Sequence, residues 1–527
     1  MQRPLGAQIS HMLKDRGVEV IFGIPGVHNQ EMYRGIEEAG LRHVLARHEQ
    51  GAGFMADGYA RATGRPGVCY VITGPGLCNI MTPMGQAYSD SVPMLVISSC
   101  LDETAATRGQ LHQMKDQEGA ARTVCDWSET ARTAEAAYTL IDRAFVEFGT
   151  KRPAPKHVSI PIAQGEAMAS QAGTWQVQTD GPSEASRFVD IAKRMLGTCR
   201  KPLFILGGGI RDQSACAEVL ALTGAASLTT YAGRGLVPDD APLHMGALLG
   251  RPASKEMIAK ADCILAIGTA LSEVDLWRSE LGRGAGPMLR VDLDAETFAD
   301  RHGHQIGVAC DATAFMRALL RALPEETATT QWSAAEIADF RARMRAEIAA
   351  ERPGILQVAE ALREALPDDA MIYSDMTQFA YAALEVWPMA RPGHWHHPSG
   401  FGTLGYALPA AIGGKIGVGD KPVVAIAGDY GFQYTLQELA VAVELELSLP
   451  IILWDNGKLG EIEDSMIRAQ IAPNAVVQRN PDFVKLAEAY GAAAARPGSL
   501  AGMQEAVREA LGRKGPTLIH VDAGIAG

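Results

Sequence analysis

The 527 residues contain no stretch of 18 uninterrupted apolar residues, so nothing in the chain reads as a membrane span. Basic residues are in deficit. Lys and Arg number 48 against 61 Asp and Glu, a formal net charge of −13 with no basic stripe, and no nucleic-acid partner is expected. Cysteine is sparse. The eight, at positions 69, 78, 100, 125, 199, 216, 263 and 310, include no C-x-x-C pair. That disfavours a zinc site or a disulfide framework and fits a reducing cytoplasm. The opening "MQRPLGAQISHMLKDRG" is patterned as an amphipathic helix and lacks the apolar core of a signal peptide. Neither a short-period repeat nor a low-complexity tract is present.

What is present describes an ordinary folded chain, 47% hydrophobic and 21% charged, with 55 glycines gathered in short turns. At roughly 150 residues per domain it has room for about three or four domains. Short β-branched runs alternate with helical patterns: "VEVIFGI", "GVCYVIT", "MLVISS", then "PLFILGGG", "DCILAIG", "MLRVDLD", then "VVAIAGD", "PIILWDN", "PTLIHVDA". Strands buried on both faces and separated by helices predict parallel sheets. The expected fold class is therefore α/β, with three doubly wound parallel-sheet domains. Linker-like stretches at 165–183 and 325–353 divide the chain into blocks 1–165, 185–325 and 353–527.

The third block carries the most specific pattern. "VVAIA" predicts a strand, "GDYG" a turn, and "TLQELAVAVELEL" a helix from about Thr435, where Thr435 and Glu438 have capping-box spacing. Leu436, Leu439, Ala440, Val443 and Leu447 would form its apolar face, Pro450 would end that segment, and "IILW" would be the next strand. Such a βαβ unit returns right-handed to a parallel neighbour about 4.8 Å away. Asp429 and Asn456 would then both lie just past carboxyl strand ends, where open α/β sheets bind ligands. A carboxylate and an amide oxygen there can share a hard cation, with waters and substrate phosphates completing the shell. Gly428 and Gly431 would let backbone N–H groups approach an anion and keep the turn flexible. Taken alone, Asp429 could be a turn residue and Asn456 a strand-end cap.

The whole pattern resembles the diphosphate-binding motif of thiamine-diphosphate-dependent enzymes, GDG followed by an Asn 27 residues after the Asp, as Asn456 follows Asp429. The resemblance implies that Asp429, Asn456 and the carbonyl of Lys458 bind Mg2+. Tyr430 departs from the motif's second glycine, which puts the loop shape in question. In the first block, "VLARHEQGAGFMADGYARATG" and "ITGPGLCN" resemble the pyrimidine-binding domain of the acetolactate synthase and 2-oxo acid decarboxylase group. Glu49 falls on the catalytic glutamate, and Gly74, Pro75, Gly76 and Asn79 on a "GPG..N" turn. Thiamine diphosphate must lose its thiazolium C2 proton to become a nucleophile. A glutamate hydrogen-bonded to the pyrimidine N1' favours the imino tautomer whose 4'-nitrogen takes that proton, and an apolar pocket that raises its pKa suits this role. A Glu at this position would also complement the N-terminus of the helix that follows.

"GFGTLGYALPAAIGGKIG" resembles the family's pyrimidine-side loop. It implies that the Gly402 carbonyl meets the 4'-amino group and that Leu404 wedges under the bent cofactor. The family implies domains that are pyrimidine-binding, central Rossmann-like and diphosphate-binding, with active sites at a subunit interface in a homodimer or homotetramer. The central block's "GGGI" and "GTALSE" read as strand-end turns, so FAD is not expected.

Substrate residues are less legible. "RGQLHQMKDQ" falls on an active-site loop in relatives, with Gln113 aligned to a catalytic glutamine and His112 a candidate proton donor or a surface residue. Val27 and His28 fall beside the expected pocket. In "GHWHHP", three histidines lack a spaced fourth ligand and read as a loop. Glu461 falls where relatives contact substrate and could pair with a guanidinium, or simply open a solvated helix. The phrases "FGIPGVH" and "LHQMKDQ" look most like the 5-guanidino-2-oxopentanoate decarboxylase branch. The expected activity is decarboxylation of a 2-oxo acid to an aldehyde. The alternatives are acetolactate synthase-like carboligation and a catalytically inactive binding homologue.

Overall fold

The computed structural model describes residues 1–103, 107–174, 185–277, 281, 286–300, 302–325 and 330–526. All nine runs read as strands are strands, and they fall into three sheets in which these strands pair in parallel. The first orders its strands as Arg42–Leu45, Val20–Gly23, Gly67–Val71, Met94–Cys100, Lys156–Pro161 and Trp127–Thr130. The second runs Ala226–Thr229, Pro202–Leu206, Cys263–Ile267, Met288–Asp292, Gln305–Ala309. The third runs Trp395–His396, Met371–Ser374, Val423–Gly428, Leu449–Asp455, Pro516–Asp522, Ala493–Ala495. Helices connect successive strands because the central strands, such as Gly67–Val71, Met94–Cys100, Pro202–Leu206 and Val423–Gly428, are fully buried and need cover on both faces.

The chain forms two compact units. One contains residues 1–179, 371–377 and 396–523; the other, 180–370, 378–395 and 524–527. In the first unit one continuous core of buried side chains runs from Phe22, Phe54 and Met84 to Tyr406, Val423 and Leu453. Its centre is the crossing of helices Glu49–Thr63 and Ala407–Val418, made close by glycine. A Cβ on Gly58 would lie 1.9 Å from the Ala410 carbonyl oxygen, and one on Gly413 would lie 1.8 Å from that of Met55. The second unit has its own core around Phe204, Leu265, Leu289 and Phe315. Its Arg251 forms a buried ion pair with Glu385 and, at 2.7 Å, a second pair with the exposed Glu351.

Parts of the linker-like stretches form regular structure. Met168–Ala169 pairs antiparallel with Arg3–Pro4, and Ala334–Glu351 is a long helix. Residues 175–183 of the first stretch lie outside the described residues. All eight cysteines are free thiols, and no described helix is long and apolar enough to cross a membrane.

Candidate active site

Helix Glu49–Thr63 starts at the predicted catalytic carboxylate, with His48 accepting the Gln50 N–H at 3.1 Å as its cap. Glu49 is 8% exposed. Asn79 Nδ2 donates to its Oε2 at 2.9 Å from the start of helix Pro75–Ser89. That helix is entered through the predicted turn. Gly74 caps it at φ +70, a left-handed conformation that a side chain would strain, and Pro75 takes the first helical position. Gly76 is so close that a Cβ there would lie 3.3 Å from Glu49 Oε1.

Beside Glu49 lies a second carboxylate. Glu438 is fully buried and accepts the Arg47 N–H through both oxygens, at 3.1 and 3.2 Å. Burial pushes its pKa up to about 7, opposed by the N–H groups of Arg47 and His48 and reinforced by the charge of Glu49. The capping-box reading of Thr435 and Glu438 is thereby overturned. Thr435 Oγ1 instead donates to the Gly405 carbonyl at 2.8 Å. The helix also starts earlier than expected, at Asp429, with Leu436–Glu438 a 3-10 turn before Leu439–Glu444.

The phosphate-side turn follows strand Val423–Gly428, which pairs with Leu449–Asp455 in the register Gly428↔Trp454. Asp429 and Asn456 therefore both stand past carboxyl strand ends. Asp429 is 3% exposed, and burial, with Asp455 nearby, raises its pKa against hydrogen bonds from Asn480 and Gln478. Asn480 Nδ2 bridges Asp429 Oδ2 at 2.7 Å and Asp455 Oδ1 at 2.8 Å, while Gln478 reaches Asp429 Oδ2 at 3.3 Å. These two amides were invisible to local sequence reading. They return because the segment after Asn456 pairs with residues 476–478: Leu459 N–H to Val476 at 2.8 Å, Gln478 N–H to Gly457 at 3.3 Å. Lys458 N–H lies 3.3 Å from Asn456 Oδ1, and its ammonium pairs with Glu463. The buried Asp429 carboxylate, the half-buried Asp455 carboxylate and the Asn456 amide oxygen are the kind of oxygen ligand a hard cation such as Mg2+ takes, with the Asn480 NH2 group bridging the two carboxylates.

Tyr430 fits without distortion because it lies inside helix Asp429–Thr435, where no left-handed backbone is needed. Gly431 does not loosen a turn, as the sequence suggested. It is helical too, and a Cβ there would lie 2.6 Å from Asp375 Oδ2.

The pyrimidine-side loop places Gly402 at φ +66 with its N–H on the Pro398 carbonyl at 3.0 Å, and Leu404 half-buried. Gly400 N–H reaches Asp90 at 2.9 Å and the Tyr406 hydroxyl reaches Asp57 at 2.8 Å. Asp57 is eight residues along its helix from Glu49, about 12 Å of rise. One chain thus brings Glu49 to Asn79 and sets Glu438 on the Arg47 N–H beside it, while Tyr406, just after the Gly402 loop, meets the same helix at Asp57.

On the substrate side, His28 and His112 meet edge to face with ring centroids 4.9 Å apart. His112 has φ +62, and its carbonyl oxygen would be 2.3 Å from a Cβ on Gly74, so this pair adjoins the Glu49 turn. Burial, then the charge of His112, holds the His28 pKa down against Asp102. A cavity of about 400 Å3 opens beside it, lined by His28, Asp102, Glu103, Gln110 and Leu111 among others. Val27 is exposed. Gln113 folds onto its own loop, accepting Gly109 N–H at 2.9 Å and donating to the Thr107 carbonyl at 2.8 Å. Glu461 is in the first turn of helix Gly460–Arg468 and pairs with Arg468 at 3.4 Å. The three histidines of "GHWHHP" engage different neighbours: Pro392, Tyr373 and Ser374 for His394, His396 and His397.

Three domain families match the chain in sequence. They are the thiamine pyrophosphate enzyme N-terminal TPP binding domain over 3–120, central domain over 189–319 and C-terminal TPP binding domain over 375–521. A probable 2-ketoarginine decarboxylase of Pseudomonas aeruginosa is 42% identical over 524 residues, covering 98% of this chain and 93% of that protein. The acetolactate synthase isozyme 1 large subunit of Escherichia coli is 27% identical across 99% of this chain and 94% of its own. The acetolactate synthase large subunit of Corynebacterium glutamicum is 30% identical across 94% and 83%.

Proposed function

The chain belongs to the thiamine pyrophosphate enzyme family, an enzyme of the 2-oxo acid decarboxylase and acetolactate synthase kind, and from that premise we propose that it decarboxylates a 2-oxo acid with a guanidinium-bearing tail to an aldehyde. The likeness to the 2-ketoarginine decarboxylase over nearly the whole chain carries the choice of substrate and reaction.

Bound thiamine diphosphate supplies a nucleophilic carbon and an electron sink for the carbon–carbon bond to CO2. The chain's residues do the rest. Glu49, oriented by Asn79, holds or shares a proton at the pyrimidine ring. Gly74 and Pro75 set the turn that brings Asn79 to it, and Gly402 and Leu404 seat the ring from a second copy of the chain, in a homodimer or homotetramer. Gly428, Tyr430 and Gly431 line the diphosphate turn, while Asp429, Asn456 and the Lys458 carbonyl hold Mg2+. His112 and Gln113 face the substrate's carboxylate end, and Glu461 takes a cationic tail. The central block from 185 to 325 is a separate domain between the cofactor-binding blocks 1–165 and 353–527. The free thiols support a cytoplasmic location.

The second reading, carboligation, rests on the acetolactate synthase relatives. A panel of 2-oxo acids with thiamine diphosphate and Mg2+ separates the two, with CO2 and organic products both followed. Aldehyde from a guanidino acid is the expected result. Acetohydroxy acid from pyruvate, without aldehyde from any member, would overturn it.

A further inference from the structure

Strand Met371–Ser374 ends in Asp375, Met376 and Thr377, and these three residues touch both cofactor loops. Met376 Cε lies 3.7 Å from the Cβ position of Gly402, and Thr377 Cβ lies 3.3 Å from that of Gly428. Asp375 joins the two loops directly. Its carboxylate is 1% exposed and accepts the N–H groups of Met376 and Gly405, each at 2.9 Å, with those of Tyr406 and Ala407 also on it. On its other side its Oδ2 presses on Gly431 at 2.6 Å from the Cβ position. The Gly405 backbone, at φ +83, is gripped a second time by the Thr435 hydroxyl on its carbonyl.

We propose that Asp375 is a positioning residue for the cofactor: its buried carboxylate fixes the pyrimidine-side loop against the diphosphate turn, so that both ends of one cofactor meet surfaces already in register. The proposal rests on the cofactor reading above. Backbone N–H groups hold it, which only an acceptor on every lone pair can satisfy. Burial alone would drive the pKa up; with those N–H groups it stands at about 6, leaving the group ionised at neutral pH. An amide in its place would turn an NH2 toward an N–H and release one arm of the loop.

The test is binding of thiamine diphosphate with Mg2+ to the full chain by calorimetry, beside kcat at saturating cofactor. Asp375→Asn is expected to weaken cofactor affinity at least tenfold, with kcat at saturation within threefold of wild type. Affinity within twofold of wild type would overturn the proposal. Should that variant not fold, Thr435→Val removes the other grip on Gly405, and an affinity loss of about threefold is expected; unchanged affinity would overturn the proposal equally. Asp429→Ala separates the two levels. If it abolishes Mg2+-dependent binding while Asp375→Asn does not weaken it, the positioning role alone fails. If neither variant has an effect, the cofactor site itself is misread.

Discussion

Glu438→Gln isolates the charge of a carboxyl group with no solvent exposure. In the unfolded chain this group titrates near the ordinary glutamate value of 4.5, and in the fold near 7. Because the folded value is the higher one, the folded state holds a proton that the unfolded chain has released between those limits. Stability from this group is therefore complete below about pH 4.5 and lost as pH rises to about 7, with no further change above. The full swing is about 3 kcal/mol, from roughly 1.4 kcal/mol per pH unit of displacement. A glutamine cannot ionise, so the variant lacks this slope. Carboxylates that do not interact with Glu438, such as Asp375, contribute equally to both proteins and cancel in the difference. The assay is the thermal midpoint of the apo-proteins in steps from pH 4.5 to 8.5. Wild type should be the more stable at the acidic end and lose several degrees relative to the variant by pH 7. A difference that stays constant across the range would refute the reasoning, and one of opposite sign would mean that Glu438 gains more from the Arg47 N–H than it loses by burial.

Glu49→Gln should abolish turnover while cofactor affinity, read by calorimetry, stays within a few-fold of wild type; wild-type turnover would remove Glu49 from catalysis. Tyr430→Gly, which restores the family's glycine, should bring no gain in cofactor affinity and cost about 1 kcal/mol of stability, because Tyr430 is already helical. A severalfold tighter cofactor complex would show that the tyrosine distorts the loop.

The three sheets were legible because strands buried on both faces are continuous apolar runs, and "VVAIA" or "MLVIS" admits few other readings. Asp429 and Asn456 were legible for a related reason, since a βαβ unit fixes which end of each strand its polar neighbours occupy. The helix start was misjudged because Tyr430 and Phe432 look like neither turn nor amphipathic helix. The capping box failed on tertiary grounds: Glu438 meets Arg47, 391 residues away, and Thr435 meets Gly405, and neither partner is implied by local spacing. Asn480 reaches Asp429 through a chain reversal that no periodicity announces. Asp375 did offer a signal, an acidic residue directly after the apolar run "MIYS", the same signature that marked Asp429.

The glycine crossing of helices Glu49–Thr63 and Ala407–Val418 has a mechanical consequence. At Gly58 and Gly413 backbone rests on backbone, and at those two points no side chain is left between the rods to yield. A tilt imposed on the rod that begins with Glu49 is handed on to the rod that leaves the Gly402 loop.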